Sequence, residues 1–198
     1  MQLLRIKAVL FMLALVPLAR LFWLGLNDDL TANPVEFIER STGTWALVFL
    51  LTALAMTPLR LISGIAWPVQ LRRMAGLFMF FYACLHFLIY LWLDHWFDWH
   101  EIVTDIMEHP YVLVGFSAFL LSIPLALTSS NAMMRRLGWR WRQLHAMVYL
   151  IAVLGVLHFL WLVKKDIRGP LAYALVLALL LSVRLWFRFF RRVDLRRG

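Results

Sequence analysis

The chain has one cysteine, Cys84, among 198 residues. A lone thiol closes no internal disulfide and builds no cysteine metal cluster, and no C-x-x-C-H attachment motif is present. Charge is scarce as well: 16% of residues are charged and 63% are hydrophobic, against about 25% and 45–50% in a typical soluble domain. That leaves too little polar surface to wrap a water-soluble core. Neither a G-x-G-x-x-G nor a P-loop fingerprint occurs, and no connection is long enough to fold as a soluble domain. A dinucleotide-binding module is therefore excluded, and reading along the chain reveals no internal repeat and no low-complexity segment.

What the chain does have is long apolar runs. Six blocks fall near residues 8–26, 43–62, 74–94, 110–128, 143–163 and 170–187. About 20 apolar residues cross a bilayer, and each block must be helical because lipid offers nothing to satisfy an open backbone. The expected fold is all-α: a polytopic membrane protein, one six-helix transmembrane bundle over 1–198. Pro58, Pro110 and Pro170 sit near block ends, where a missing N–H costs little, whereas Pro17 and Pro124 lie inside blocks and predict kinks. The first block reads as an uncleaved helix. Its run exceeds the 7–15-residue core of a signal peptide, and no clear A-x-A site follows it.

A net charge of +9 would suggest nucleic acid in a soluble protein. Here the basic residues flank helices on one side. Arg5 and Lys7, then Arg60, Arg72 and Arg73, then Arg135, Arg136, Arg140 and Arg142, then the six arginines from Arg184 to Arg197 bring 15 of the 20 basic residues together. Ten of the eleven acidic residues fall on the other side, from Asp28 and Asp29 through Glu36 and Glu39, the run Asp94 to Glu108, and Asp166. The positive-inside rule then makes both termini cytoplasmic. The fifth connection, Lys164-Lys165-Asp166-Ile167-Arg168, is the exception to the pattern. Trp92, Trp96 and Trp99 suit an interfacial aromatic belt, the tail arginines suit lipid anchoring, and Arg20 should face the bundle interior or snorkel.

Chemistry concentrates in histidine. His86 lies in the third block, and His145 and His158 in the fifth. Ionisable side chains within a membrane point to function, and neutral imidazole is a good axial ligand for haem iron. His86 stands 13 residues past Arg73, and His158 16 past Arg142; at about 1.5 Å per residue the two are nearly level, in the outer half of the membrane. Together they can hold one haem between two helices. His145, about 20 Å deeper, either binds a second haem near the inner face or hydrogen-bonds a neighbouring helix. The residue 13 before His86 is Arg73, not a histidine. His95, His100 and His109 sit in the acidic third connection, whose spacing matches no strong metal signature and reads as a solvated loop.

The segments Thr42-Gly43 to Leu59, Arg72-Arg73 to His86, Pro110-Tyr111 to Ser129, and above all Arg140-Trp141-Arg142-Gln143-Leu144-His145 to His158-Phe159-Leu160-Trp161 resemble the MsrQ (YedZ) family. These are haem-binding membrane subunits of the bacterial periplasmic methionine sulfoxide reductase system, placed among the ferric-reductase-like transmembrane domains. The resemblance covers nearly the whole chain. It implies haem b, one or two per chain, at His86, His145 and His158, together with FMN. It implies electrons drawn from the quinone pool or a flavin reductase and passed to the periplasmic molybdopterin enzyme MsrP, which repairs oxidised proteins. It also implies a bacterial inner-membrane location. On this reading the chain is an electron-transfer subunit, and methionine sulfoxide reduction takes place on its partner. The alternatives are a haem-b subunit of another reductase, ferric or respiratory, and a non-redox small transporter or assembly factor. A Soret band separates both haem readings from the non-redox one.

Overall fold

A computed structural model describes residues 2–163 and 166–197, with side chains over 4–163 and 166–189. Lys164 and Lys165 of the exceptional connection lie outside the described residues, as do the side chains of the tail arginines beyond Phe189. Among the described residues nine α-helices occur and no strand: α1 (Gln2–Leu26), α2 (Pro34–Ser63), α3 (Arg72–Ile89), α4 (Trp99–Glu108), α5 (Pro110–Leu127), α6 (Asn131–Leu137), α7 (Trp139–His145), α8 (Val148–Leu162) and α9 (Arg168–Arg197). Six stretches are long and apolar enough to cross a membrane: Leu4–Leu26, Pro34–Ser63, Trp67–Asp94, Pro110–Leu127, Trp139–Leu162 and Arg168–Phe189. They correspond one to one with the six apolar blocks. The all-α, multi-pass architecture expected from composition is the one observed.

Local chemistry sets the ends of the elements. Asn33 caps α2 by accepting from the Glu36 amide, with Pro34 at the first helical position, where proline's fixed φ is already suited and its missing N–H is no loss. Gly64 closes the same helix at φ 73°, a left-handed conformation that glycine takes without Cβ strain. Pro17 and Pro124 are carried inside α1 and α5. The fifth block is two helices end to end, α7 and α8, interrupted at Ala146–Met147 just after His145.

Four helices form the centre. α2 packs on α3 and α5 on α8, and α9 lies against both α2 and α8. Leu47, Leu50, Leu51 and Leu54 of α2 meet Met79, Ala118, Leu125, Ile151, Ala152, Val156 and Leu177 in one buried cluster. Facing positions repeat at the three- and four-residue spacing of a helix stripe. The opposite faces of α1 and α9 carry exposed Leu, Val and Phe, which lipid covers in a membrane protein. Arg20 is exposed on α1, so of its two expected placements the outward one is found.

The third connection is not a solvated loop. A π-helical turn, Tyr90–Asp94, extends α3, and Trp96 and Phe97 follow with φ of 48° and 59°. Left-handed backbone is costly for bulky residues, and here it reverses the chain. Asp98 then starts α4, accepting from the amides of His100 and Glu101 at 2.9 and 3.1 Å. α4 packs back on α5 through buried Ile102, and its Asp105 accepts a 2.8 Å hydrogen bond from the Tyr90 hydroxyl. His95, read from sequence as solvated, is 9% exposed, because α4 folds over it.

A paired-histidine cavity

α2, α3, α5 and α8 enclose a cavity of about 420 Å³. The wall from α3 and its π-helical extension is Met79, Ala83, His86, Phe87 and Tyr90, and the α8 wall is Ile151, Gly155, His158, Phe159 and Leu162; each series follows one helix face. His86 and His158 therefore share one chamber, with ring centroids 6.3 Å apart and planes 73° apart. The levelness inferred from counting along the helices is matched by this placement.

Each ring is held in the same way. His86 Nδ1 lies 3.0 Å from the Glu39 carbonyl oxygen, and His158 Nδ1 lies 2.7 Å from that of Tyr111. A carbonyl only accepts, so Nδ1 carries the proton and each neutral ring keeps its lone pair on Nε2. No group among the described residues hydrogen-bonds either Nε2. One turn beyond each carbonyl stands a glycine. A Cβ on Gly43 would lie 3.1 Å from His86 Cε1, and one on Gly115 would lie 2.6 Å from His158 Nδ1. The rings occupy the space that those side chains would fill.

These three-residue arrangements are a repeat. Glu39, Gly43 and His86 recur 72 residues later as Tyr111, Gly115 and His158, and His86-Phe87-Leu88 recurs as His158-Phe159-Leu160. The absence of an internal repeat inferred from sequence is thus corrected at the level of the site: α2–α3 and α5–α8 are two copies of one histidine-holding unit. Few side chains are shared between the copies, so the period stays hidden without the contacts. The glycines were the available signal, since an isolated glycine inside a helix costs about 1 kcal/mol relative to alanine and usually has a packing reason.

The repeat ends toward the arginine-rich end of the bundle. Arg73 stands where His145 would have its counterpart, and it donates to the Asn131 side-chain oxygen at 2.6 Å. His145 lies outside the cavity. Its Nε2 is 3.0 Å from Thr128 Oγ1 and its ring stacks on Trp141 at 3.9 Å. The Thr128 hydroxyl spends its one proton on the Pro124 carbonyl at 2.6 Å, so Nε2–H of His145 is the donor, the reverse of the tautomer at His86 and His158.

One end of the cavity is acidic. Glu36, Glu39, Asp94 and Asp105 line it with one guanidinium, Arg40, which is paired to Glu36 at 2.7 Å. His109 meets Asp105 at 2.8 Å. Among the described residues no three His, Cys, Asp or Glu side chains converge as a metal cluster, which leaves the histidine pair as the metal-competent feature. Two imidazoles on opposite faces of one metal ion, each at a bond of about 2.0 Å with a ring radius of about 1.2 Å, would have centroids about 6.4 Å apart. The observed 6.3 Å and the fixed tautomers suit that role.

Fold and site define a six-span helical membrane protein built around a duplicated histidine unit. Residues 42–156 match the family described as ferric reductase like transmembrane component. The chain is 51% identical over 194 residues, 96% of its length and 89% of the relative's, to the protein-methionine-sulfoxide reductase heme-binding subunit MsrQ of Herminiimonas arsenicoxydans. It is 53% identical to the MsrQ of Bordetella pertussis, covering 93% of this chain and 91% of that one. The MsrQ of Ralstonia nicotianae is 50% identical, with coverage of 92% and 85%. No solved structure matches. The chain belongs to the MsrQ family, within the ferric-reductase-like transmembrane components.

Proposed function

We propose that the chain is the haem-b electron carrier of a periplasmic methionine sulfoxide repair system, with His86 and His158 as the two axial ligands of one iron. The observation that carries this reading is the matched pair of imidazoles, 6.3 Å apart, each with Nδ1–H tied to a helix carbonyl and Nε2 unclaimed. Second-shell bonds of this kind fix ring orientation and raise ligand basicity. Bound there, haem supplies a one-electron iron couple. The chain's own part is to hold the ligands, keep water out with Phe87, Phe116 and Phe119, and set the field. The relatives' name specifies a heme-binding subunit, and the donor set present fits that group. Reconstituted protein should show a low-spin b-type spectrum, and its absence from folded protein overturns the reading.

In the same reading His145 takes a second, inner haem, through Nδ1 or by exchanging its Thr128 bond. The chain also takes FMN. Electrons enter from quinol or a flavin reductase and leave to MsrP. The protein sits in the bacterial inner membrane with both termini in the cytoplasm, as the charge asymmetry supports. Reporter fusions after Arg197 should report the cytoplasm and fusions at Asp98 the periplasm; a periplasmic C-terminus contradicts this topology.

The acidic outer face suits docking of a soluble partner. Between Asp94 and Glu108 there are five carboxylates and no Lys or Arg: Asp94 ends the π-helical turn, Asp98 caps α4, and Glu101, Asp105 and Glu108 lie on α4. Asp94 and Asp105 line the cavity itself, while Asp98, Glu101 and Glu108 are exposed and available for steering. Asp98→Asn/Glu101→Gln/Glu108→Gln keeps a side chain able to cap α4. It should slow reoxidation of pre-reduced protein by MsrP about three- to tenfold at low salt, with the spectrum unchanged and the difference vanishing as salt rises. Stopped-flow rates indifferent to both salt and mutation exclude charge steering.

A further inference from the structure

A second cavity, about 490 Å³, opens between α1 and the α3 span on the basic side of the protein. Lys7, Phe11 and Leu15 form one wall at four-residue spacing, and the other runs from Gln70 and Arg73 through Met74 and Leu77 to Phe81. Both walls begin with a cation and continue in hydrocarbon for about eight residues, or about 12 Å. Above Lys7 the helices are clasped: Phe11 meets Phe78 edge-on at 5.1 Å, and the Tyr82 hydroxyl donates to the Ala14 carbonyl at 2.7 Å. Toward the basic end they part, which leaves a slot that is apolar inside and cationic at its mouth.

No carboxylate lines this slot. The ion pairs among the described residues involve neither Lys7 nor Arg73, and Arg73 is steadied by a neutral carboxamide, the Asn131 oxygen at 2.6 Å. Guanidinium has five donors in a planar fork, so that contact leaves others for a phosphate. Two cations and an amide beside a hydrocarbon trench about one acyl segment long are complementary to one kind of molecule at this depth.

We propose that the α1–α3 slot is a binding site for one anionic phospholipid of the inner leaflet, its phosphate between Lys7 and Arg73 and an acyl chain along Phe11, Leu77 and Phe81. Basic pockets between membrane helices on the cytoplasmic side commonly hold such headgroups. The lipid completes the packing of α1, whose lower half otherwise touches the bundle sparsely. This inference goes beyond the haem reading and does not depend on it; only the choice of leaflet rests on the topology proposed above.

The test uses the full chain released from nanodiscs containing equal phosphatidylglycerol and phosphatidylcholine with matched acyl chains, observed by native mass spectrometry. One retained phosphatidylglycerol, selected over phosphatidylcholine, is expected. Lys7→Gln should lower its occupancy about fivefold, the effect of one basic residue near a membrane surface. Leu77→Trp fills the trench at a position 39% exposed and should expel the lipid with both charges intact. Arg5→Gln, outside the slot, should change nothing. Equal retention of the two lipids, or equal loss in Arg5→Gln and Lys7→Gln, overturns the site in favour of diffuse charge. Retention undiminished in Leu77→Trp overturns it as well. Absorption of bound haem is recorded on the same samples, so a failure of the haem reading registers separately.

Discussion

His86→Ala and His158→Ala should each abolish the low-spin haem signal in folded protein, and the double variant should be no worse than either single one. Two ligands on one iron act as a unit, so their effects do not add. Losing one imidazole leaves the other as the single member of the pair; His95 also lines the cavity, but it is engaged by Asp94 and Asp105. Each single variant should regain a low-spin spectrum when imidazole is added, because the vacated ring leaves space of its own shape. His145→Ala should leave this signal in place, since that side chain is tied to Thr128 and Trp141 outside the cavity; only a second, inner haem would respond. A folded His158→Ala protein that keeps the full wild-type spectrum contradicts the pairing. Additive losses in the double variant would mean two separate irons.

The second large effect belongs to a glycine. Alanine normally stabilises a helix by up to about 1 kcal/mol relative to glycine. At Gly115 the sign reverses, because the added Cβ would stand 2.6 Å from His158 Nδ1, a separation at which something must move. That nitrogen is also the one bonded to Tyr111, so the movement breaks the bond that fixes the tautomer. Gly115→Ala should cost about 1–3 kcal/mol as an overpacked site and lose most low-spin haem. Gly43→Ala meets His86 at 3.1 Å and should shift the spectrum with partial retention. Gly76 faces nothing within 4 Å, so Gly76→Ala should leave haem untouched. Thermal melts and haem content of the three variants, measured side by side, check the ranking. Equal behaviour of all three would remove the steric account of the rings.

Much of this was legible before any contact was known. A bilayer converts apolar length directly into helices, so the six spans followed from composition and block length; the largest shifts are at the starts of the second and third spans, which begin at Pro34 and Trp67, ahead of the expected 43 and 74. The level pairing of His86 and His158 followed from counting along two helices from Arg73 and Arg142, a calculation that needs the helix rise and nothing else. What escaped was whatever depends on which helix faces which. Each ring is anchored 47 residues away in sequence, to a backbone carbonyl that every residue possesses, so nothing in the letters marks Glu39 or Tyr111 as acceptors. Gly43 and Gly115 left a faint trace as costly residues inside helices. The burial of His95 was hidden because it depends on left-handed Trp96 and Phe97, two residues that give no turn signal and that send α4 back over the cavity.

Near-infrared magnetic circular dichroism of the oxidised, haem-loaded protein tests the central claim most directly, because its charge-transfer band reports which pair of axial ligands the iron carries. The account predicts a bis-imidazole band in the wild type that disappears in both His86→Ala and His158→Ala. A wild type without a bis-imidazole band, or a bis-imidazole band that survives loss of His86 or His158, would contradict it.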